Sequence, residues 1–149
     1  MPEPAVTIEE KIAMNNEILI FEDKKISPYE FINLMQAVVF GDKSDYTETT
    51  VSESLSAYPF IAYARNNTGE LIGYVSAFSD HAFSTFIGEL AVHPSFQRRG
   101  VGHKLISAVE KYSGKAPIYV NPFKDTEQFF LKQGFKRASR STTALFKAA

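Results

Sequence analysis

The apolar and polar positions in the first third of the chain predict one strand followed by two helices. Residues 17–21, EILIF, form a short apolar run typical of a strand. Residues 27–30, SPYE, predict a helix start, because Ser is a preferred N-cap, Pro fits the first helical position and Glu completes a capping box. Apolar positions then recur at helical spacing until Gly41, which predicts the end of that helix. A second helix is predicted over residues 47–57, after a polar connection at 42–45.

The middle of the chain has the pattern of β-strands. Two apolar runs, at residues 60–65 and 71–78, are separated by Asn-Asn-Thr-Gly at 66–69, a sequence typical of hairpin turns. A third run follows at 83–92. We therefore expect three consecutive strands that lie side by side in one sheet.

The last third returns to alternating helices and strands. A helix is predicted up to residue 111, because its apolar positions share one face: Val101, Leu105, Ile106, Val109 and Tyr112. A short strand at 117–121 and a helix at 124–133, ended by Gly134, come next. Residues 135–137 and 142–146 can form a final antiparallel pair. The order β-α-α-β-β-β-α-β-α-β(-β) predicts a mixed α/β single domain.

The loop at residues 97–102, QRRGVG, lies where a strand passes into a helix. A helix start exposes unpaired N–H groups and the positive end of the helix dipole. Gly100 and Gly102 allow the main chain to bend and a ligand to approach, while Arg98 and Arg99 add positive charge. These features suit a phosphate or pyrophosphate group, although a plain strand-to-helix turn with a solvated arginine pair explains the same residues. The loop matches neither a Walker motif nor the three-glycine dinucleotide fingerprint.

Composition narrows the class of protein. The chain has 149 residues, of which 44% are hydrophobic, so one domain with a substantial core is expected. With 16 Lys plus Arg against 17 Asp plus Glu, the net charge of −1 argues against a nucleic-acid binder. Cysteine is absent, which excludes disulfides, thiolate metal sites and a cysteine nucleophile. The three histidines suggest no metal set, and we expect no metal site.

Without a signal-peptide pattern or a long apolar run, we expect a cytoplasmic protein with no membrane contact.

Two motifs resemble those of a known family. Residues 90–102, LAVHPSFQRRGVG, resemble the acyl-CoA-binding motif of the GNAT N-acetyltransferase superfamily, whose core is Gln/Arg-x-x-Gly-x-Gly/Ala after a strand ending in Val-x-Pro. Residues 129–135, FFLKQGF, resemble its aromatic-aromatic-x-x-x-Gly-Phe segment. The resemblance is specific over about residues 71–136. It implies one N-acetyltransferase-like domain over 1–149, with 1–16 as an N-terminal extension and a mixed central sheet of splayed strands flanked by helices.

The resemblance also implies how acetyl-CoA is held as co-substrate. The strand end at 90–92 would splay from its neighbour near 118–121, and the pantetheine arm would lie in the gap like an added strand. The pyrophosphate would rest on the amides of residues 97–102. Phe129 and Phe130 would flank the CoA arm, although ordinary helix core explains Phe129 equally well. The implied cofactor-binding residues are Leu90, Ala91, Val92, Gln97, Arg98, Arg99, Gly100, Val101, Gly102, His103, Asn121, Phe129 and Phe130.

The chemistry implied by the family is acetyl transfer to an amine by direct attack. Because only about one lysine-like amine in 2,500 is neutral at pH 7, a base helps to collect its proton. Glu89, a lone acid in an apolar strand, is the candidate base; otherwise it faces solvent or pairs with a nearby cation. Amides around 90–92 would bind the oxyanion. Many relatives have a tyrosine acid where this chain has Phe130, so Tyr119 is a replacement candidate, or the thiolate leaves unaided.

The sequence alone does not identify the acceptor amine. In this family the first two helices and their connection form much of the acceptor side. In this chain that region combines acidic and aromatic residues, which suit a cationic amine with an apolar body. These residues are Phe40, Asp42, Asp45, Tyr46, Glu48, Glu53 and Tyr58. A solvated polar loop is the alternative. The expected partners are acetyl-CoA and an amine of a small molecule or protein, and a homodimer is left open. A non-catalytic acyl-CoA sensor is the rival function, favoured by Phe130, and an interaction module without CoA is a third.

Overall fold

The computed structural model describes residues 17–38 and 46–149. The suggested N-terminal extension, residues 1–16, lies outside the described residues. So do residues 39–45, which include the predicted helix end at Gly41 and the acceptor-side residues Phe40, Asp42 and Asp45.

Within these residues, a five-stranded sheet in the order β1-β2-β3-β4-β5 forms the centre of the structure. The first four strands are antiparallel to their neighbours, whereas β5 runs parallel to β4. The bounds of the strands are β1 Leu19–Phe21, β2 Phe60–Arg65, β3 Leu71–Ser79, β4 Thr85–Val92 and β5 Ile118–Tyr119. This is the predicted mixed α/β architecture, with a sheet that combines antiparallel and parallel pairing.

Two helices cover one face of this sheet. Helix α1, Pro28–Ala37, begins at the predicted capping box, in which Ser27 Oγ accepts from the Glu30 amide at 3.1 Å. Helix α2, Glu48–Ala57, begins with Thr47 as N-cap. Their apolar sides pack with the sheet into one core cluster, whose buried members include Phe31, Leu34, Met35, Val51, Leu55, Ile61, Tyr63, Tyr74 and Ala91. We call this the α1/α2 face of the sheet.

Two further helices among the described residues pack on the opposite face. Helix α3, Val101–Ser113, buries its predicted apolar stripe against β2, β3 and β4. It approaches β3 closely at Gly73, where an added Cβ would lie 2.9 Å from the Val101 side chain. Helix α4, Glu127–Lys132, contributes the buried Phe130 to the same core cluster. No helix in the described part of the chain is long and apolar enough to span a membrane.

The C-terminal part differs from the prediction. Residues 135–137 and 142–146 form no strands, and residues 136–149 are exposed. The prediction of a final antiparallel pair is therefore wrong. The physical reason lies in β5, which has only two residues and so offers few backbone groups to a further strand. Helix α1 ends at Ala37, before the predicted boundary.

A buried chain of hydroxyl groups joins the strands to the end of α3. Thr85 Oγ1, on β4, lies 2.6 Å from Ser79 Oγ on β3 and 2.6 Å from Ser113 Oγ on α3. Ser113 Oγ also donates to the Ala116 carbonyl at 2.8 Å. Because Thr85 and Ser113 are buried, these hydrogen bonds replace contacts with water. The chain holds α3 against the start of β4, next to the β4–β5 pair.

We expect Thr85→Val to destabilise the fold by about 1–3 kcal/mol, because the buried hydroxyl of Ser113 and the half-buried hydroxyl of Ser79 then lose a partner while the side-chain shape is kept. Denaturant unfolding measures this change in the free energy of unfolding. Ser52→Ala, at an exposed position of α2, is the control and should change stability by less than about 0.5 kcal/mol. Equal stabilities of the Thr85→Val variant and the native protein would show that the hydroxyl chain contributes nothing net.

Candidate active site

Strands β4 and β5 pair only at their first residues. The register joins Thr85 to Ile118 and Phe86 to Tyr119, and there the pairing ends. Strand β4 continues to Val92 without β5 beside it, which opens the predicted gap between the two strands. Asn121 lies exposed, beyond the end of β5. The gap therefore begins immediately after the Phe86–Tyr119 pair.

Backbone groups of β4 point into this gap. His93 donates its amide to the Ile72 carbonyl on β3 at 2.8 Å. Because antiparallel partners exchange hydrogen bonds at every second residue, Ala91 also faces β3, whereas Leu90 and Val92 face the gap. The Val92 carbonyl accepts from Gln97 Nε2 at 3.1 Å, which ties the following loop to the strand end. The amides of Leu90 and Val92 thus face the gap, where a ligand could accept their hydrogen bonds.

The loop at residues 97–100 leads into α3 with exposed, positively charged side chains. Arg98 and Gly100 have left-handed backbone conformations, with φ of 63° and 81°. Gly100 caps α3 without a side-chain hydrogen bond, so the first amides of the helix remain available. The guanidinium of Arg99 lies over the Phe96 ring at 5.4 Å from its centroid. This geometry suits an anion held by main-chain N–H groups.

The two sequence motifs meet at the start of α3. The Phe129 ring lies against Gly102, where an added Cβ would approach within 2.7 Å of the ring. His103 Nδ1 and Gln133 Oε1 are 2.7 Å apart, which links α3 to the end of α4. Gly102 therefore has a packing role that the sequence did not reveal. Val101, by contrast, is a core side chain, and only its backbone can reach a ligand.

Phe130 is buried in the core rather than exposed to the gap. Its exposed fraction is 6%, and its ring makes edge contacts with Phe129 at 5.1 Å and Phe135 at 5.4 Å. It belongs to the cluster between α3 and the sheet. Packing thus accounts for Phe130.

A β-bulge places Glu89 on the α1/α2 face. Ser76 pairs with Glu89 and Ala77 with Ile87, so Gly88 is an extra residue in β4. The Glu89 amide donates to Ser76 Oγ at 3.1 Å. A Cβ at Gly88 would overlap the Tyr58 hydroxyl, so glycine permits this close approach. At the bulge the Tyr58 hydroxyl thus lies against Gly88, and the Ser76 hydroxyl is bonded to the Glu89 amide.

The environment of Glu89 makes it a better base than an exposed carboxylate. Burial raises the pKa of Glu89 above its ordinary value. Tyr74, fully buried beside it, has a strongly raised pKa, first because of burial and also because of the negative charge of Glu89. Ser76 approaches the Tyr74 hydroxyl without the geometry of a hydrogen bond, and no residue in 17–38 or 46–149 bonds to it. A carboxylate with a raised pKa beside an unpartnered hydroxyl can bind a water or an ammonium group.

Sequence reasoning missed Tyr74 and Ser76. Both residues lie in the apolar run of β3, two positions apart, so their side chains share one face of the sheet. A serine within an otherwise apolar run was the sequence signal that could have indicated a polar site here. The side chain of Tyr119 lies on the α1/α2 face too, where it stacks on Phe86 at 5.4 Å. Among the described residues, no group of three or more His, Asp or Glu side chains could hold a metal ion.

Comparison with known proteins places the chain in a family. Residues 56–137, more than half of the chain, match the acetyltransferase (GNAT) domain. The GCN5-related N-acetyltransferase 3, chloroplastic, of Arabidopsis thaliana is 32% identical over 84 residues, which are 54% of this chain and 35% of that protein. The chain thus matches about a third of the length of this relative.

Solved structures share the fold. A GNAT-family acetyltransferase from Streptococcus pneumoniae superposes with a TM-score of 0.72 at 21% identity, covering 89% of this chain and 98% of that one. An aminoglycoside N-acetyltransferase in complex with CoA gives a TM-score of 0.68 at 19% identity, covering 89% and 97%. Because the domain match spans more than half of the sequence and these structures have the same fold, the chain belongs to the GNAT family of N-acetyltransferases.

Proposed function

We propose that this chain transfers the acetyl group of acetyl-CoA to a primary amine by direct attack of the amine on the thioester. The observation that carries the proposal is the sequence of groups along β4. A half-buried carboxylate at Glu89 is followed by gap-facing amides at Leu90 and Val92, and the strand ends at the positively charged loop. Base, oxyanion donors and anion site thus follow one another along the chain.

Acetyl-CoA binding is divided among three parts of the site. The pyrophosphate rests on the amides of residues 97–103, with the charges of Arg98 and Arg99 beside it. The pantetheine arm lies in the gap and bonds to the backbone amides of Leu90 and Val92, whereas the backbone of Ala91 faces β3. Asn121 borders the gap from the β5 side. Phe129 holds the start of α3 in place through Gly102, and Phe130 supports it from the core.

The reaction proceeds with a balanced transfer of protons. The acceptor arrives as an ammonium ion and gives a proton to Glu89, directly or through a water held near Tyr74. The neutral nitrogen attacks the thioester carbonyl carbon, and the oxyanion accepts a hydrogen bond from a gap-facing amide. The C–S bond then breaks, the electron pair leaves with sulfur, and the nitrogen, which has been positively charged since the attack, releases its second proton to water. Because a thiol has a pKa near 8.5, the thiolate leaves without an acid and takes a proton from water.

A CoA sensor is the second candidate function, because Phe130 supplies no hydroxyl and is packed in the core. A sensor would bind acetyl-CoA without consuming it. Release of free CoA thiol in the presence of a panel of primary amines separates the two functions. An enzyme releases thiol only when an amine is present, and a sensor releases none with any amine.

Acetyl-CoA should stabilise the protein by about 2.7 kcal/mol at about 100 times its dissociation constant. Gly102→Val should remove most of this shift, because the new side chain displaces Phe129 and crowds the amides at the start of α3. Thermal unfolding with and without acetyl-CoA measures the shift. Gly114→Ala, at the other end of α3, is the matched control. It also lowers basal stability, since φ is 65° there, but it should keep the full shift. A native protein that acetyl-CoA does not stabilise would contradict the proposal.

Glu89→Gln should lower turnover at neutral pH by about 10²- to 10⁴-fold, because the amide keeps the shape and removes the basicity. Acetyl-CoA binding should persist, since the phosphates are held elsewhere. Part of the activity should return at high pH, where more amine is already neutral. Turnover from about pH 6 to 10 with one saturating amine tests this, and Glu110→Gln, on the exposed side of α3, is the control. Parallel profiles within about threefold of each other would exclude the base role.

Glu89→Gln should also change how stability depends on pH. Because burial raises the folded-state pKa of Glu89, the folded chain holds this proton more tightly than the unfolded chain. Native stability therefore falls as pH rises from the ordinary Glu value of 4.5 through the raised pKa. The glutamine variant lacks this loss, so its stability relative to native should grow over that interval. Urea unfolding at a series of pH values measures it, and a constant difference would show that Glu89 is not desolvated.

A further inference from the structure

Three aromatic side chains form a ladder across β3, β4 and β5. Phe78 stacks on Phe86 with centroids 5.4 Å apart, and Phe86 stacks on Tyr119 at 5.4 Å, with ring planes within 26° of parallel. They are cross-strand neighbours in the register of the sheet. Their exposed fractions are 46%, 40% and 51%, so about half of this apolar surface faces solvent. We call Phe78, Phe86 and Tyr119 the aromatic ladder.

The aromatic ladder is on the same face as Glu89. Tyr74, Ser76 and Phe78 alternate along β3 and therefore line one face, while Val75 and Ala77 belong to the opposite core cluster. Glu89 pairs with Ser76 on that face, next to the ladder. The α1/α2 face is thus divided into a part covered by helices, a polar border at Ser76 and Glu89, and the exposed aromatic ladder.

The ladder also marks the start of the gap. Phe86 and Tyr119 are the last residues at which β4 and β5 pair. In the proposed function the thioester lies in the gap beyond this pair, near Glu89. A molecule that rests on the ladder therefore has its nearer end beside both the base and the acetyl group.

Stacking decides what kind of molecule fits. Because Phe86 stacks between Phe78 and Tyr119, both of its faces are covered and it turns its edge to solvent. Ring edges carry partial positive charge, so they repel a cation but attract the face of another aromatic ring. The ammonium group is attracted instead by the carboxylate of Glu89. The aromatic ladder and Glu89 therefore suit the two ends of one acceptor. The ladder suits a flat apolar body, and Glu89 suits a cationic nitrogen.

We propose that the aromatic ladder binds the body of the acceptor, and that the preferred acceptors are primary amines carrying an aromatic ring on a short alkyl chain. This inference rests on the proposed acetyl transfer. Phe86 and Glu89 are three residues apart in β4 with a bulge between them, which separates them by about 7–10 Å. An alkyl chain of about four carbons between ring and nitrogen spans the lower end of this interval, whereas a two-carbon chain is shorter than it.

The test compares phenylbutylamine and phenylethylamine with n-hexylamine, which is apolar but has no ring. In the native protein, kcat/KM for the better aryl amine should exceed that for n-hexylamine by about 10-fold or more. Phe86→Leu and Phe78→Leu keep apolar volume but remove a ring, and each should lower the aryl preference about 3- to 10-fold. The change should lie in KM, with kcat for n-hexylamine and the acetyl-CoA stability shift unaltered.

Two control variants sharpen the comparison. Phe83→Leu removes an exposed ring from the turn between β3 and β4, outside the ladder, and should leave the preference unchanged. Tyr119→Phe keeps the ring and should keep the preference, whereas Tyr119→Leu should lose it. Thermal unfolding of each variant verifies that it is folded.

Several outcomes overturn the inference while leaving acetyl transfer intact. One is equal kcat/KM for the aryl amines and n-hexylamine, and another is a preference that survives both ladder substitutions. A third is a dimer that Phe86→Leu dissociates, measured by light scattering, because a second copy would then cover the ladder.

If no amine is acetylated, the proposed transfer fails instead. Equilibrium titration of phenylbutylamine into the native and Phe86→Leu proteins then decides whether the ladder binds the ring.

Discussion

Strand β4 is hydrogen-bonded to β3 along its whole length but to β5 only at its first two residues. The rest of the candidate site depends on this asymmetry. A strand paired on both sides has no backbone group to offer, whereas the second half of β4 presents those of Leu90 and Val92 to the gap. Because β3 still pairs with this half, the strand keeps its position while its other edge is open to a ligand.

The bulge adds a second asymmetry to the same strand. If Gly88 occupied a regular position in β4, alternation would place Ile87 and Glu89 on one face of the sheet. With it, Ile87 remains in the core cluster under α3, while Glu89 turns toward Ser76 and the buried Tyr74 hydroxyl. Burial then raises the pKa of Glu89, which moves it closer to the pH at which a base must work. The bulge thus places the carboxylate on the face of the sheet where burial raises its pKa.

Glycine has different roles at the two ends of the site. Gly100 adopts a left-handed conformation that turns the loop into α3, which is a property of its own backbone. Gly102 and Gly88 are needed because another side chain lies where their Cβ would be, the Phe129 ring and the Tyr58 hydroxyl respectively. The site is therefore held by contacts from α4 and from the end of α2, elements distant in sequence from the strand that carries the chemistry.

Local sequence determined the elements and the candidate loop, because capping, turn and periodicity signals act over a few residues. The capping box at Ser27, the hairpin at residues 66–69 and the apolar stripe of α3 all formed as predicted. The two motifs were sufficient to indicate the family. Tertiary structure decided what depends on partners far along the chain. The bulge at Gly88 exists only relative to Ser76, the aromatic ladder joins three strands, and Phe130 is identified as core by its neighbours. The predicted C-terminal strands failed for the same reason, since a strand forms only where another strand offers it an edge.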